Sequence, residues 1–217
     1  MRDQVIASIE KEKLIVIIRG IERKKLISLA EAMYEGGVRL LEVTYSANGS
    51  VADEETAESI GLLSERFDGR MQIGAGTVLT EKQVCLTHEA GGKFIISPNA
   101  NPKIIEKTRE LGMVSIPGAF SPTEIELAHE LGADFVKLFP VTNLGVEYVK
   151  AVTAPLSHIR LLAVGGIDLS NIPLYQKAGV CGFGVGSNII NKKMVTNGDW
   201  QCIATLAKQY SQAVKGE

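Results

Sequence analysis

The stretch DFVKLFP, residues 134–140, places Lys137 inside an apolar run that otherwise has the pattern of a buried β-strand. Lysine is among the residues least often fully buried without a partner. An amine at this position is therefore either half of an ion pair or a group with a chemical task. The fold around the stretch determines which other groups can reach that amine.

Seven further apolar runs of the same kind occur along the chain, and helical patterns lie between them. The eight runs are LIVII (14–18), RLLEVT (39–44), MQIGAG (71–76), KFIIS (93–97), MVSIPG (113–118), DFVKLF (134–139), RLLAVGG (160–166) and CGFGVG (181–186). They start about 24 residues apart, which fits the strand-plus-helix unit of a (β/α)8 barrel. An open, doubly wound sheet is the alternative, but eight regular units favour closure.

The helical patterns have clear beginnings. Thr80 is predicted as an N-cap, and Ser121, Pro122 and Glu124 form the pattern of a capping box with proline at the first helical position. No linker rich in Pro, Gly or Ser interrupts the series. We therefore predict an α/β protein with one domain over residues 1–217, a (β/α)8 TIM barrel with an extra N-terminal helix.

Composition excludes several classes of function. The net charge is −2 with both signs mixed along the chain, which argues against a nucleic-acid surface. No apolar run approaches the roughly 20 residues that cross a bilayer, so no membrane contact is expected. Three widely spaced cysteines, Cys85, Cys181 and Cys202, suggest reduced thiols and a cytoplasmic location.

The histidines do not suggest a metal site. His88, His129 and His158 fall in helical or loop contexts, and none forms an HxH or HxxxH pair. Solvated positions on the outside of the barrel are the simpler interpretation. We expect no metal and no external cofactor.

Two charged residues stand near the C-terminal ends of predicted strands, where the active sites of such barrels lie. Lys137 and Glu42 are both flanked by apolar residues, and strand alternation would point both into the barrel. A desolvated lysine has a lowered pKa, so its neutral amine can attack a ketone and form an iminium. Glu42 could then carry protons. The alternative is a Lys137–Glu42 ion pair that only stabilises the barrel.

Glycine pairs end the last two predicted strands. Loops in these positions often bind phosphate through backbone N–H groups, although tight turns explain each pair separately. The candidate phosphate-binding residues are Gly165, Gly166, Gly186 and Ser187. Arg19 ends the first strand and could bind a carboxylate or phosphate, or pair with Glu42.

The ordered set LLEVTYS, GAGTVLT, SPN, IPGAFSPTE, VKLFP and GGI resembles the bacterial aldolases that act on 2-keto-3-deoxy-6-phosphogluconate (KDPG) and 4-hydroxy-2-oxoglutarate (KHG). The resemblance covers nearly the whole chain. It implies a metal-free class I lyase, a homotrimer and a phosphorylated 2-keto acid as substrate. It also implies that Lys137 forms the Schiff base, Glu42 is the general acid/base, and Thr77 and Pro98 line the pyruvate end. Arg19 would contact the substrate carboxylate or Glu42, and the glycines with Ser187 would hold the phosphate.

Two positions depart from the best-known family members. Ser46 stands where they have an arginine, and Val164 stands where they have a threonine before the Gly-Gly pair. The forms AVGG and GVGSN resemble the branch that acts on 2-keto-3-deoxy-6-phosphogalactonate. Gluconate, galactonate and hydroxyoxoglutarate substrates therefore stay open, and a phosphosugar epimerase or isomerase, or a barrel that only binds, is the remoter alternative. Residues 191–217 are predicted as a closing helix without chemistry.

Overall fold

The computed structural model describes residues 1–216. Its strands are β1 Leu14–Ile18, β2 Leu40–Thr44, β3 Gln72–Gly76, β4 Phe94–Ile96, β5 Val114–Ile116, β6 Gly118–Ala119, β7 Val136–Leu138, β8 Leu161–Val164 and β9 Gly182–Val185. Its helices are α1 Arg2–Glu12, α2 Arg23–Glu35, α3 Asp53–Arg66, α4 Glu81–Glu89, α5 Pro102–Glu110, α6 Pro122–Glu130, α7 Val141–Leu144, α8 Val146–Thr153, α9 Ile172–Lys177, α10 Lys192–Asn197 and α11 Trp200–Ala213.

The strands form one parallel sheet in the order β5-β4-β3-β2-β1-β9-β8-β7-β6. The two ends of this order, β5 and β6, are consecutive in the chain and are separated by Pro117 alone. The chain itself therefore joins the two edges, and the predicted (β/α)8 barrel is confirmed.

The fifth predicted run differs in detail, because it forms two short strands rather than one. Pro117 has no backbone N–H to continue a ladder, so β5 pairs with β4 while β6 pairs with β7. The Pro117 carbonyl still accepts a hydrogen bond of 2.8 Å from the Lys137 N–H. The break thus lies directly beside the lysine strand.

The predicted helix starts are confirmed. The Thr80 hydroxyl accepts a hydrogen bond from the Gln83 N–H, and the Gln83 side-chain oxygen accepts one from the Thr80 N–H. Ser121 and Glu124 form the same reciprocal pair, with proline at the start of α6. These caps satisfy N–H groups that a helix terminus otherwise leaves unpaired.

The extra N-terminal helix closes the bottom of the barrel. Val5 and Ile9 of α1 are buried in a cluster that also contains barrel residues such as Phe94 and Phe135. Asp134, just before β7, accepts hydrogen bonds from Arg2 of α1 and from the Ser115 N–H. Because this end is filled, the C-terminal end of the barrel is the end available to a ligand.

The tail does not form the single closing helix that the sequence suggested. Gly198, with φ of 78°, ends α10, and α11 starts at Trp200. The α11 helix packs closely on α2, since a Cβ on Gly36 would overlap Ala207. Glu217, the last residue of the predicted segment, lies outside the described residues.

Over residues 1–216, no helix is both long and apolar enough to cross a membrane. Cys85, Cys181 and Cys202 are all free thiols.

Gly74 of β3 provides a test of packing inside the barrel. A Cβ at this position would overlap the ring of fully buried Phe94. We expect Gly74→Ala to lower the free energy of unfolding by about 1–3 kcal/mol, the usual range for overpacking. Urea unfolding followed by circular dichroism measures the change.

Gly61, inside α3, is the matched control. The nearest atom to a Cβ there is the Ala90 carbonyl oxygen at 3.8 Å, which is ordinary van der Waals contact. Gly61→Ala should raise stability by roughly 0.5–1 kcal/mol, because alanine favours a helix interior. Equal effects of the two substitutions would contradict this account of the barrel interior.

Candidate active site

A cavity of about 800 Å³ opens at the C-terminal end of the barrel strands. All the residues that the sequence singled out for the site line this one cavity. They are Arg19, Glu42, Thr77, Pro98, Lys137, Gly165, Gly166, Gly186 and Ser187. The structure therefore brings together the proposed amine, the carboxylate and the glycine-rich loops.

Glu42 and Lys137 are both buried, with 2% and 7% of their surface exposed. Glu42 lies on β2 opposite Ile17 of β1 and Gly74 of β3. Its carboxylate packs against Gly76, where a Cβ would overlap it. The glycine at the end of β3 therefore makes the room that the carboxylate occupies.

Burial sets the protonation of both groups. It lowers the pKa of the Lys137 amine, an effect that the Glu42 carboxylate opposes and the Arg19 guanidinium reinforces. Burial also raises the pKa of Glu42, and the nearby charges of Lys137 and Arg19 offset part of that rise. Each shift favours the neutral form of its group.

The two ion pairs considered from the sequence are not formed. Across residues 1–216, Glu42 makes no salt bridge with either Lys137 or Arg19. The Arg19 guanidinium instead donates a hydrogen bond of 3.1 Å to the Thr77 hydroxyl. Arg19 is therefore held at the rim, and Lys137 and Glu42 remain separate groups facing one cavity.

Thr77 has an unusual backbone. Its φ is 57°, a region that β-branched residues rarely adopt. Such strain persists only where surrounding structure enforces it, and it occurs often at functional sites. Here the turn immediately after β3 brings the Thr77 hydroxyl into contact with Arg19.

Phe139 also lines the cavity and was not predicted from the sequence. The Lys137 Nζ lies 4.6 Å from the centre of the Phe139 ring. The two residues are two positions apart, so strand alternation places them on the same side. That spacing in DFVKLFP was the signal that could have identified Phe139. The ring adds apolar surface beside the amine and contributes to its desolvation.

The glycine loops after β8 and β9 have backbone conformations that allow a ligand to approach the main chain closely. Gly165 and Gly166 have φ of 97° and 75°, and a Cβ on Gly166 would overlap Thr142. The Asn188 amide donates a bond of 2.7 Å to the Ile167 carbonyl, which ties the loop after β9 to the loop after β8. Within the described chain, the Ser187 N–H makes no hydrogen bond and is available to a ligand.

Lys192 also lines the cavity, although no pattern in the sequence predicts a role for it. It begins α10, in the tail that was predicted to have no chemistry. Its amine lies 3.8 Å from the position of a Cβ on Gly20, in the loop after β1. Only the barrel order, with β9 beside β1, brings this residue to the site.

The two positions that depart from the family pattern lie in different surroundings. Val164 lines the main cavity. Ser46 lines a neighbouring cavity of about 370 Å³, where its hydroxyl contacts Asn48 at 2.7 Å and Ser50 at 2.8 Å. Arg19 borders both cavities. Val164 is therefore better placed than Ser46 to touch a bound substrate.

The three histidines, His88, His129 and His158, are exposed and do not line the main cavity. Among residues 1–216, no group of three or more His, Cys, Asp or Glu side chains has an arrangement that could hold a metal ion.

Comparison with known proteins gives one consistent result. Residues 5–206 match the family described as KDPG and KHG aldolase. The 2-dehydro-3-deoxy-phosphogluconate aldolase of Haemophilus influenzae is 31% identical over 98% of this chain and 97% of its own length. The 2-dehydro-3-deoxy-6-phosphogalactonate aldolase of Escherichia coli is 31% identical over 94% of this chain and 98% of its own length.

A solved structure extends the similarity to the fold. KDPG aldolase from Legionella pneumophila, solved with pyruvate captured as a covalent carbinolamine intermediate, is 27% identical with a TM-score of 0.82. The match covers 94% of this chain and 96% of that one. The resemblance inferred from the motifs is thus confirmed over nearly the full length. The chain belongs to the KDPG and KHG aldolase family, whose members are carbon–carbon lyases.

Proposed function

We propose that this aldolase cleaves KDPG to pyruvate and glyceraldehyde 3-phosphate, KHG to pyruvate and glyoxylate, or both. The observation that carries the proposal is the buried Lys137 amine with its lowered pKa, which shares a cavity with buried Glu42. A phosphosugar-binding barrel without Schiff-base chemistry would not require an amine at this position. Neither would an epimerase or an isomerase.

The first step in this proposal is formation of the imine. The neutral Lys137 amine attacks the C2 ketone, and a C–N bond forms as the carbonyl electrons move to oxygen. Glu42 in its acid form protonates that oxygen to a hydroxyl. The resulting carboxylate then takes a proton from the attacking nitrogen and passes it to the hydroxyl, which leaves as water. The product is a protonated imine, and its positive nitrogen can accept an electron pair.

Bond cleavage follows from that charge. Glu42, now a carboxylate, removes the proton of the C4 hydroxyl, and the electrons of the C3–C4 bond move toward the imine nitrogen. An aldehyde leaves, and an enamine of pyruvate stays attached to Lys137. Protonation at C3 and hydrolysis then release pyruvate and the free amine. The raised pKa of Glu42 suits a group that must both donate and accept protons.

We assign the two ends of the substrate to different parts of the cavity. Thr77 and Pro98 line the pyruvate end, and Arg19, oriented by Thr77, binds the carboxylate. Gly165, Gly166, Gly186 and Ser187 offer backbone N–H groups to the phosphate. These roles rest on position in the cavity and on the family resemblance.

2-Keto-3-deoxy-6-phosphogalactonate is the second candidate substrate. Val164 lines the cavity directly before the Gly165–Gly166 turn, where the best-known family members carry a threonine. A valine cannot donate a hydrogen bond to a sugar hydroxyl, so this chain lacks a bond that a threonine at the same position could make. The galactonate isomer is therefore the alternative that this position supports.

Assembly and location extend the same proposal. We infer a homotrimer in the cytoplasm from the family resemblance. Large apolar side chains stay partly exposed on and beside α6, with 45% of Phe120 and 41% of Leu127 accessible. An interface between copies of the chain would bury such surface.

Replacing Lys137 tests the Schiff-base mechanism. We expect Lys137→Ala to reduce kcat/KM for KDPG by at least roughly 10³-fold, because the covalent intermediate cannot form. Binding of a phosphosugar, measured by calorimetry, should persist. Lys193→Ala removes an exposed lysine outside the cavity and serves as the control. Unchanged turnover in Lys137→Ala would exclude the mechanism.

Replacing Glu42 tests both the proton carrier and the electrostatics. Glu42→Gln should lower kcat by about 10²–10⁴-fold. Because the Glu42 carboxylate raises the pKa of Lys137, its removal should move that pKa further down. Competitive acetylation across pH, read by peptide mass mapping, follows the Lys137 amine directly. A midpoint that stays in place or moves to higher pH would contradict the assigned charge interaction.

A further inference from the structure

We propose that Lys192 binds the phosphate group of the substrate and gives this enzyme its preference for phosphorylated over unphosphorylated aldehydes. The inference deepens the proposed function and rests on it. The glycine loops suggest a phosphate site made of backbone N–H groups. Lys192 adds a charged side chain to that site. The starting point of the inference is the set of charges that face the cavity.

Four charged side chains line the cavity. They are the cations Arg19, Lys137 and Lys192 and the anion Glu42. Lys137 must be neutral to act as a nucleophile, and burial lowers its pKa accordingly. Two further cations, Arg19 and Lys192, therefore remain for a substrate that has two anionic ends, a carboxylate and a phosphate.

Arg19 and Lys192 make different contacts at the cavity rim. Arg19 is drawn toward β3 by its bond to Thr77. Lys192 comes from the loop after β9, five residues beyond Ser187, and its amine approaches Gly20. The Ile190 N–H bonds to the Gly186 carbonyl, so a tight turn folds this segment back over the glycine loop. Lys192 thus lies on the segment that continues from the loop after β9, and it lines the same cavity as Ser187.

The Lys192 amine is free to take a ligand. It is exposed, and over residues 1–216 it forms no salt bridge and donates no hydrogen bond. A phosphate monoester has a charge of about −1.5 to −2 at neutral pH. Backbone N–H groups supply partial charges only, so an unpaired ammonium at the rim adds the full positive charge that this dianion lacks.

Lys193 provides a matched control beside it. It has the same charge and is also exposed, but it does not line the cavity. Its backbone N–H is engaged by the Asn191 side chain at 2.8 Å. A general effect of positive charge on anionic substrates would appear equally in variants of either lysine, whereas a direct contact would appear in one.

The test is aldol addition of pyruvate to two aldehydes that differ only in the phosphate, D-glyceraldehyde 3-phosphate and D-glyceraldehyde. For Lys192→Met, the ratio of kcat/KM for the two aldehydes should fall about tenfold, the usual effect of losing one charge-assisted contact. Lys193→Met should leave the ratio within twofold of the unmodified enzyme. A ratio within twofold in Lys192→Met as well would overturn the proposal, as would an equal fall in both variants.

A binding measurement separates this proposal from the aldolase reaction. Inorganic phosphate should bind the full chain, and Lys192→Met should weaken that binding about tenfold while Lys193→Met does not. This result does not depend on turnover. Failure of the aldolase mechanism would instead appear as loss of product with all proteins and both aldehydes. Equal phosphate affinity in Lys192→Met and the unmodified chain would refute the assignment of Lys192.

Discussion

The desolvation of the Lys137 amine is the constraint on which the rest of the site depends. A lysine in water is charged and unreactive toward ketones, and only burial in an apolar wall changes that balance. Here the barrel strands and the ring of Phe139 remove water from the amine. Glu42 is close enough to oppose part of the pKa shift, but it forms no salt bridge that would fix the amine in its charged form. The site thus holds two buried ionisable groups in one cavity, each with a pKa shifted toward its neutral form.

The surrounding structure maintains that arrangement through close packing. Gly76 leaves the space that the Glu42 carboxylate fills, and the α1 helix fills the opposite end of the barrel. Thr77 adopts a strained backbone conformation that holds Arg19 at the rim. Arg19 therefore influences the pKa values of both Lys137 and Glu42 without neutralising Glu42 through an ion pair. Small residues and one strained turn, rather than additional charges, surround Lys137 and Glu42 at this end of the barrel.

Much of this could be predicted from the sequence, because a barrel converts strand order into position. Lys137 and Glu42 lie near strand ends, and parallel strands bring such ends to one face. Three features could not be predicted from strand order alone. The break of the fifth strand depends on the partners available on each side of Pro117. The Arg19–Thr77 bond depends on a backbone angle, and Lys192 reaches the cavity only because β9 pairs with β1. Each of these is a long-range contact that local patterns do not contain.

The central claim is that the Lys137 amine forms a covalent bond with the keto acid. Incubation of the folded protein with pyruvate and sodium borohydride, followed by peptide mass mapping, tests it most directly, because reduction makes the imine permanent. The account predicts a stable pyruvyl adduct on the peptide that contains Lys137 and none on the exposed lysines. Absence of an adduct, or an adduct on a different lysine, would contradict it.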